Sequence, residues 1–252
     1  MRTLHSDAIL LDVVDLHEAD RIVSFLSREH GKRRGVARGA RRKHSRFAGL
    51  LQPLAKARIT WFEKDDRELV RIRDVDLIRP AHRLQGDLEG ILLGAYLAGL
   101  IEEFAQEHEE TPLYYRLLDS TLEALLAGVD RDVAGRYFET WILRLAGLFP
   151  WPIACPECER PFGNGGALQR PGDEALACAR CGAEGGRGHP VSAAALELLR
   201  RVGSERLRDL AAEVPAPRVL REVEEIAGRV RRAFLQRELR SYEVMRRTLG
   251  SL

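Results

Sequence analysis

The sequence KARITWFEKDDRELVRIRDVDLI, from Lys56 to Ile78, decides how the first third of the chain folds. Lys56 to Glu63 alternates apolar and polar residues, and Glu68 to Ile78 does the same with Leu69, Ile72, Val75 and Leu77 near one face. A period of two marks a half-buried strand. Lys64-Asp65-Asp66-Arg67 reads as the tight polar turn between them. Toward the N terminus, Ala8 to Val14 (AILLDVV) and Arg21 to Leu26 (RIVSFL) are further short apolar runs, and another closes at Val36 and Ala37 after the turn signal His30-Gly31. Five short strands joined by hairpin turns in about 80 residues predict a small closed barrel, with a five-stranded OB-fold as the best candidate.

Beyond Arg79-Pro80 the period lengthens to that of a helix. Leu88, Ile91, Leu92, Ala95, Tyr96, Leu97, Leu100, Ile101 and Phe104 share helical spacing, and Thr111-Pro112 reads as an N-cap with proline at the first helical position. A second helix carries Leu117 to Leu126, and a third starts near Asp130 with Phe138, Trp141, Ile142, Leu145 and Leu148. Three apolar-striped helices predict a bundle core. After Val191, Ser192 caps a helix with Leu196, Leu198, Leu199 and Val202, and Ser204 caps another that ends at Pro215. A final helical segment runs from Pro217 to Leu249-Gly250. The expected class is therefore α+β, with a barrel over residues 1–80 and an all-helical domain over 81–252 that carries an insertion at about 150–190.

That insertion holds all four cysteines, as Cys155-Pro156-Glu157-Cys158 and, after 19 intervening residues, Cys178-Ala179-Arg180-Cys181. Two such knuckles present four thiolates at the spacing of a tetrahedral site, and structural zinc is the expected ion. A shell closed by four sulfurs leaves no position for water or substrate. The glycine-rich linker reads as a small zinc ribbon that depends on the metal to fold. His189, next to Pro190, reads as a loop residue outside the shell.

The candidate binding residues lie in the first third. Lys32, Arg33, Arg34, Arg38, Arg41, Arg42, Lys43 and Arg46 follow one another with no carboxylate between His30 and Arg46. Such a segment repels itself unless an anion lies against it, and a phosphate backbone is the natural partner. Residues 1–80 carry 18 Lys and Arg against 12 Asp and Glu, whereas 81–252 carry 22 against 26, so the basicity belongs to the first domain. Barrels of this kind track a nucleic-acid backbone with basic loops and stack bases on aromatic rings. Phe25, Phe47, Trp61 and Phe62 are the aromatics available. Neighbours on a strand point to opposite faces, so one of Trp61 and Phe62 is directed outward, and the sequence does not choose between them.

No apolar run of about 18 residues and no signal segment is visible, which predicts a cytoplasmic chain without a membrane partner. Cysteines gathered for metal fit that reducing compartment.

The order of these parts resembles the bacterial DNA repair protein RecO family. The resemblance rests on Gly39-Ala40-Arg41-Arg42-Lys43 leading to Leu51-Gln52-Pro53-Leu54, on the leucine-rich helices interrupted by a four-cysteine ribbon, and on Leu239-Arg240-Ser241. It implies a nucleoid-associated recombination mediator, not an enzyme. Such proteins bind single- and double-stranded DNA, anneal complementary strands, and contact the acidic C-terminal tail of single-strand-binding protein. With RecR they help RecA load onto coated single strands. Two other classes compete on the residues alone. A nuclease would need clustered carboxylates, for which Asp65-Asp66 and Asp74-Val75-Asp76 are the nearest pairs, yet neither has a histidine or a phosphate loop beside it. An RNA-binding protein of translation or RNA metabolism would share both the barrel and the ribbon.

Overall fold

A computed structural model describes residues 2–64, 68–149, 152–163, 165–172, 174–184 and 188–250. The N-terminal apolar run lengthens into β1 (Arg2–Leu16), followed by β2 (Asp20–Ser27), β3 (Gly31–Ala37), β4 (Lys56–Glu63) and β5 (Val70–Arg79). These strands close into a barrel in the order β1-β2-β3-β5-β4. Its length lets β1 serve two neighbours, pairing with β4 through residues 2–9 and with β2 through residues 8–16. A bulge between Leu10 and Asp12 bends the strand where it passes from one partner to the other.

Alternation fills the interior with Leu10, Val23, Phe25, Ile59, Trp61 and Ile72. The Trp61 ring stands edge-on to Phe25 at 5.3 Å. Ile72 and Val75 are three residues apart yet both buried, because a register shift beside Trp61 inserts an extra residue into β5. Leu77 does not join them: it is exposed, and so is Ile78. Of the turn expected at residues 64–67, Asp65, Asp66 and Arg67 lie outside the described residues.

The helices are α1 (Leu88–Phe104), α2 (Pro112–Leu126), α3 (Arg131–Leu145), α4 (Ala179–Glu184), α5 (Ala193–Ser204), α6 (Leu207–Leu210), α7 (Pro217–Leu235) and α8 (Arg240–Leu249). Between α3 and α5 lie β6 (Ala167–Gln169), β7 (Leu176–Ala177) and β8 (His189–Val191), in a sheet of order β7-β6-β8. Among the described residues no helix is long and apolar enough to cross a membrane. The chain forms two compact units, Met1–Leu126 with Val244–Leu252, and Ala127–Glu243.

In the first unit Lys56 and Arg79, which leave adjacent barrel strands, both reach Asp119 of α2 at 2.7 Å. The barrel also lies against α1, where Gly94 makes room for Leu54: a Cβ there would sit 2.2 Å from the Leu54 Cδ1. The three helices read from sequence as one bundle are therefore divided, with α1 and α2 beside the barrel and α3 packed on α5, α6 and α7.

Asp130 starts α3 by accepting from Val133 N at 3.0 Å, and Ser192 starts α5 through Ala195 N at 3.1 Å. Ser204 does not cap α6. It is the last residue of α5 and donates to the Arg200 carbonyl at 3.2 Å. Nor is the final segment continuous, since Gln236 takes a left-handed conformation (φ 55°) that ends α7 before α8 begins.

Beneath α7 lies a buried charge network. Arg136 pairs with Glu139 at 2.7 Å and Glu224 at 2.8 Å, while Arg231, only 1% exposed, pairs with Glu238 at 2.7 Å and faces Glu139 at 3.8 Å. The Arg231 guanidinium also lies 4.1 Å from the centre of the Tyr242 ring, whose hydroxyl donates to Glu224 at 2.9 Å. Removing one partner from such a set leaves an uncompensated buried charge. Arg231→Leu should therefore lower unfolding free energy by about 3–5 kcal/mol, read as a fall in the urea midpoint. A shift below about 0.5 kcal/mol would mean that the network contributes no more than a surface pair.

Candidate nucleic-acid interface and metal centre

The eight cations of the basic stretch do not share one environment. Gly31 to Arg34 is not a loop but the start of β3, paired with β2. Segment 105–110 covers this start, with His108 N donating to the Lys32 carbonyl at 3.3 Å. Gly31 accommodates that approach at φ 66°, since a Cβ would fall 1.6 Å from the Glu109 carbonyl oxygen. Lys32 and Arg33 are buried as a result. The Lys32 Nζ donates to the Glu102 carbonyl at 2.6 Å, and Arg33 pairs with Glu63 at 3.2 Å. Both were expected to meet phosphate. They are instead internal cations whose charge is already matched.

The remaining six, Arg34, Arg38, Arg41, Arg42, Lys43 and Arg46, are exposed. Residues 39–50 carry most of them through consecutive turns, closed by Arg42 N to Gly39 O at 3.1 Å, Ser45 N to Arg42 O at 3.0 Å and Ala48 N to Ser45 O at 3.1 Å. Phe47 anchors the segment in the barrel core. At its start Gly39 N donates to the Asp20 carboxylate at 2.8 Å and Arg41 N to the Ala19 carbonyl at 3.0 Å. The Arg41 side chain is partly engaged as well, donating to the His17 carbonyl at 2.8 Å and facing Asp15 at 3.4 Å. Among the described residues Arg34, Arg38, Arg42, Lys43 and Arg46 make no ion pair. The result is a set of cations on a pinned backbone, which loses little conformational freedom when an anion binds.

The same outer surface continues onto β5, where Arg71 and Arg73 are exposed. Arg71 stands in register with Val36 of β3 on one side and Phe62 of β4 on the other. Reading the basic stretch alone misses both. Their signal was the placement of Arg71 and Arg73 two apart on the polar face of an alternating strand. Asp74 of the nearest carboxylate pair is tied to Arg73 at 3.0 Å, and Asp65 and Asp66 lie outside the described residues.

In the second unit the four cysteine sulfurs lie within 4.8 Å of one another, the one such cluster among the described residues. Cys158 and Cys178 approach to 3.8 Å, so the thiols are free and not bridged. The first knuckle turns through Glu159 N to Cys155 O and Cys155 N to Arg160 O, each 2.8 Å, and the second opens α4. Burial opposes ionisation of Cys155, yet backbone hydrogen bonds at Cys178, Cys158 and Glu157 outweigh it and bring the thiol down to about 6. The side-chain hydrogen bond with Cys178, then burial, pushes Cys181 up to about 12. Four sulfurs this close cannot all ionise without a cation among them, and a divalent ion in tetrahedral coordination fits the donor set.

The frame around the centre is polar and specific. Arg200 of α5 donates to the Pro152 and Phe162 carbonyls at 3.1 and 3.0 Å, holding the first knuckle loop. Gln169 of β6 is fully buried and donates to the Ile226 carbonyl of α7 at 3.2 Å. His189 is exposed on β8, a strand residue and not a loop residue, and is no member of the cluster.

Two family models match the chain: recombination protein O, N terminal, over residues 1–81, and recombination protein O, C terminal, over residues 85–243. A DNA repair protein RecO of Anaeromyxobacter sp. (strain K) is 34% identical over 244 residues, spanning 97% of this chain and 94% of that protein. Another, of Geobacter sulfurreducens, is 32% identical over 201 residues, spanning 80% of this chain and 81% of that protein.

The divided basic stretch can be tested without any ligand. Lys32→Met removes a charge-assisted hydrogen bond and should cost about 1–3 kcal/mol of stability, whereas Arg38→Ala should stay within about 0.5 kcal/mol. Urea midpoints of the two variants check the contrast, and equal midpoints would return Lys32 to the surface.

Proposed function

The chain belongs to the RecO family of DNA repair proteins, and from that premise we propose that its barrel is an OB-type DNA-binding domain serving a recombination mediator. The observation that carries the reading is the pinned segment presenting Arg38, Arg42, Lys43 and Arg46 outward on a barrel whose other exposed strand positions add Arg34 and Arg71. Guanidinium and ammonium groups in that setting hold phosphates, which supply affinity and carry no sequence information. Residues 1–80 would grip single- and double-stranded DNA by the backbone. A grip of that kind leaves base edges free, as annealing of complementary strands requires. The rest of the chain, 81–252, would receive protein partners: RecR, and the acidic tail of single-strand-binding protein. Through them it would help RecA load onto coated single strands. No covalent step belongs to this role.

Cys155, Cys158, Cys178 and Cys181 would hold zinc, whose chemistry here is to neutralise four thiolates and cross-link the ribbon. Arg200 and Gln169 fix the ribbon to α5 and α7, so the ion would stabilise the second unit, whereas the phosphate grip belongs to the first.

Two measurements test this reading. In a salt titration of single-strand binding, Arg38→Ala, Arg42→Ala and Lys43→Ala combined should lower the slope of log affinity against log salt by about 0.7 per lost contact. A slope equal to that of the unaltered chain would make the segment an ordinary solvated surface. Cys178→Ser should abolish a zinc content of about one ion per chain and lower the melting temperature, with DNA affinity preserved. Loss of DNA affinity with an intact melting profile would make the ribbon itself a DNA contact.

A further inference from the structure

The barrel has four aromatic side chains, and three of them, Phe25, Phe47 and Trp61, are buried in its core. Phe62 is turned outward and partly exposed. It occupies the middle of a register row that crosses four strands, Val36 of β3, Arg71 of β5, Phe62 of β4 and Thr3 of β1. The neighbours on either side of the ring in that row are a long cation and a short hydroxyl, so one flank offers charge and the other leaves space. Arg73, two residues beyond Arg71 on the same strand, places its guanidinium 5.9 Å from the centre of the Phe62 ring. Among the described residues its other tie is an ion pair with Asp74 at 3.0 Å, in which both side chains are about half exposed. An exposed pair of that kind adds little stability, so Arg73 can leave the ring at small cost.

An aromatic face beside two guanidiniums, on a wall that also carries Arg34 and Arg38, is suited to a base and the phosphates that flank it. We propose that Phe62 is a stacking platform for one unpaired base, with Arg71 and Arg73 holding the adjacent backbone, and that this row makes the barrel prefer single strands to duplex. The inference rests on the DNA-binding reading above and adds its selectivity. Phosphate contacts alone give no preference for an open strand, since a duplex presents the same anion at higher charge density. A ring standing on the barrel wall does, because the bases of a duplex already stack on one another and are closed to it. The Arg73 guanidinium then has a defined role in the free protein: it covers an apolar face that would otherwise meet water.

Fluorescence of 2-aminopurine in an oligothymidylate, together with affinities for single strand and for duplex at one salt concentration, tests the proposal on the full chain. Phe62→Leu keeps an apolar side chain at the position and removes the aromatic face. It should weaken single-strand binding roughly 5- to 100-fold, leave duplex binding within about twofold, and abolish the quenching that stacking produces. Phe62→Trp should retain both quenching and selectivity, which separates lost stacking from a disturbed barrel. Equal losses on single strand and duplex, or no loss on either, would overturn the platform while leaving the phosphate grip intact. A wild-type chain that binds neither oligonucleotide would overturn the DNA-binding reading and this one with it.

Discussion

Everything in the first unit depends on the thickness of the barrel wall, one side chain in and one side chain out. A five-stranded barrel encloses only enough space for its own side chains, so alternate residues have no freedom in their assignment. Trp61 and Phe25 fill the interior; on β4 and β5 the intervening Arg58, Arg71 and Arg73 face water, whereas on β1 and β2 the intervening Ile9, Ser24 and Leu26 are buried as well. A one-residue slip of β4 or β5 would drive arginines into the core and the indole out of it. The exposed cations of β3 and β5 are thus held at fixed spacing by apolar residues they never touch, which is how a core with no binding role sets the shape of a binding surface.

Most of this was legible in the sequence where the signal was local. The five strands, the ribbon cysteines and the starts of α3 and α5 at Asp130 and Ser192 follow from period, spacing and capping chemistry. What was hidden depends on partners distant along the chain. Lys32 and Arg33 look like their neighbours, but Lys32 is bonded to a carbonyl at Glu102 that lies 70 residues away. Arg136 and Glu139 have the i, i+3 spacing of a solvent-facing pair, and only the arrival of α7 with Glu224 and Arg231 buries them. The break at Gln236 was masked because Leu235 and Leu239 keep an apolar spacing across it while the backbone changes hand. Phe62 was half legible: alternation required one outward ring, and the register of Trp61 with the buried Ile72, not the sequence, left Phe62 as that ring.

The second unit solves a different problem. Its ribbon has strands of two or three residues, too short to bury a core, and it depends on the Arg200 side chain of α5 and on the Ile226 carbonyl of α7, which accepts from Gln169, as well as on the cysteines. Arg200 and Gln169 bond to backbone carbonyls, so they hold the path of the chain whatever apolar residues line it. Arg200 grips the loop that carries Cys155 and Cys158, and Gln169 ties the ribbon sheet to α7. Metal binding and helix packing therefore stabilise the same element.

One seam of the barrel differs from the others. Among the described residues β3 and β5 meet through two residue pairs, Gly35 with Val70 and Val36 with Arg71, whereas β1 and β4 meet through eight. Parallel and short, it is where the ring of hydrogen bonds is thinnest and where local opening has the least to break. Arg34 and Arg71 stand on its two banks. A polyanion lying across both would act as an external suture, favouring the shut cylinder over the parted one by mass action, so that occupancy and the integrity of the cylinder rise and fall together.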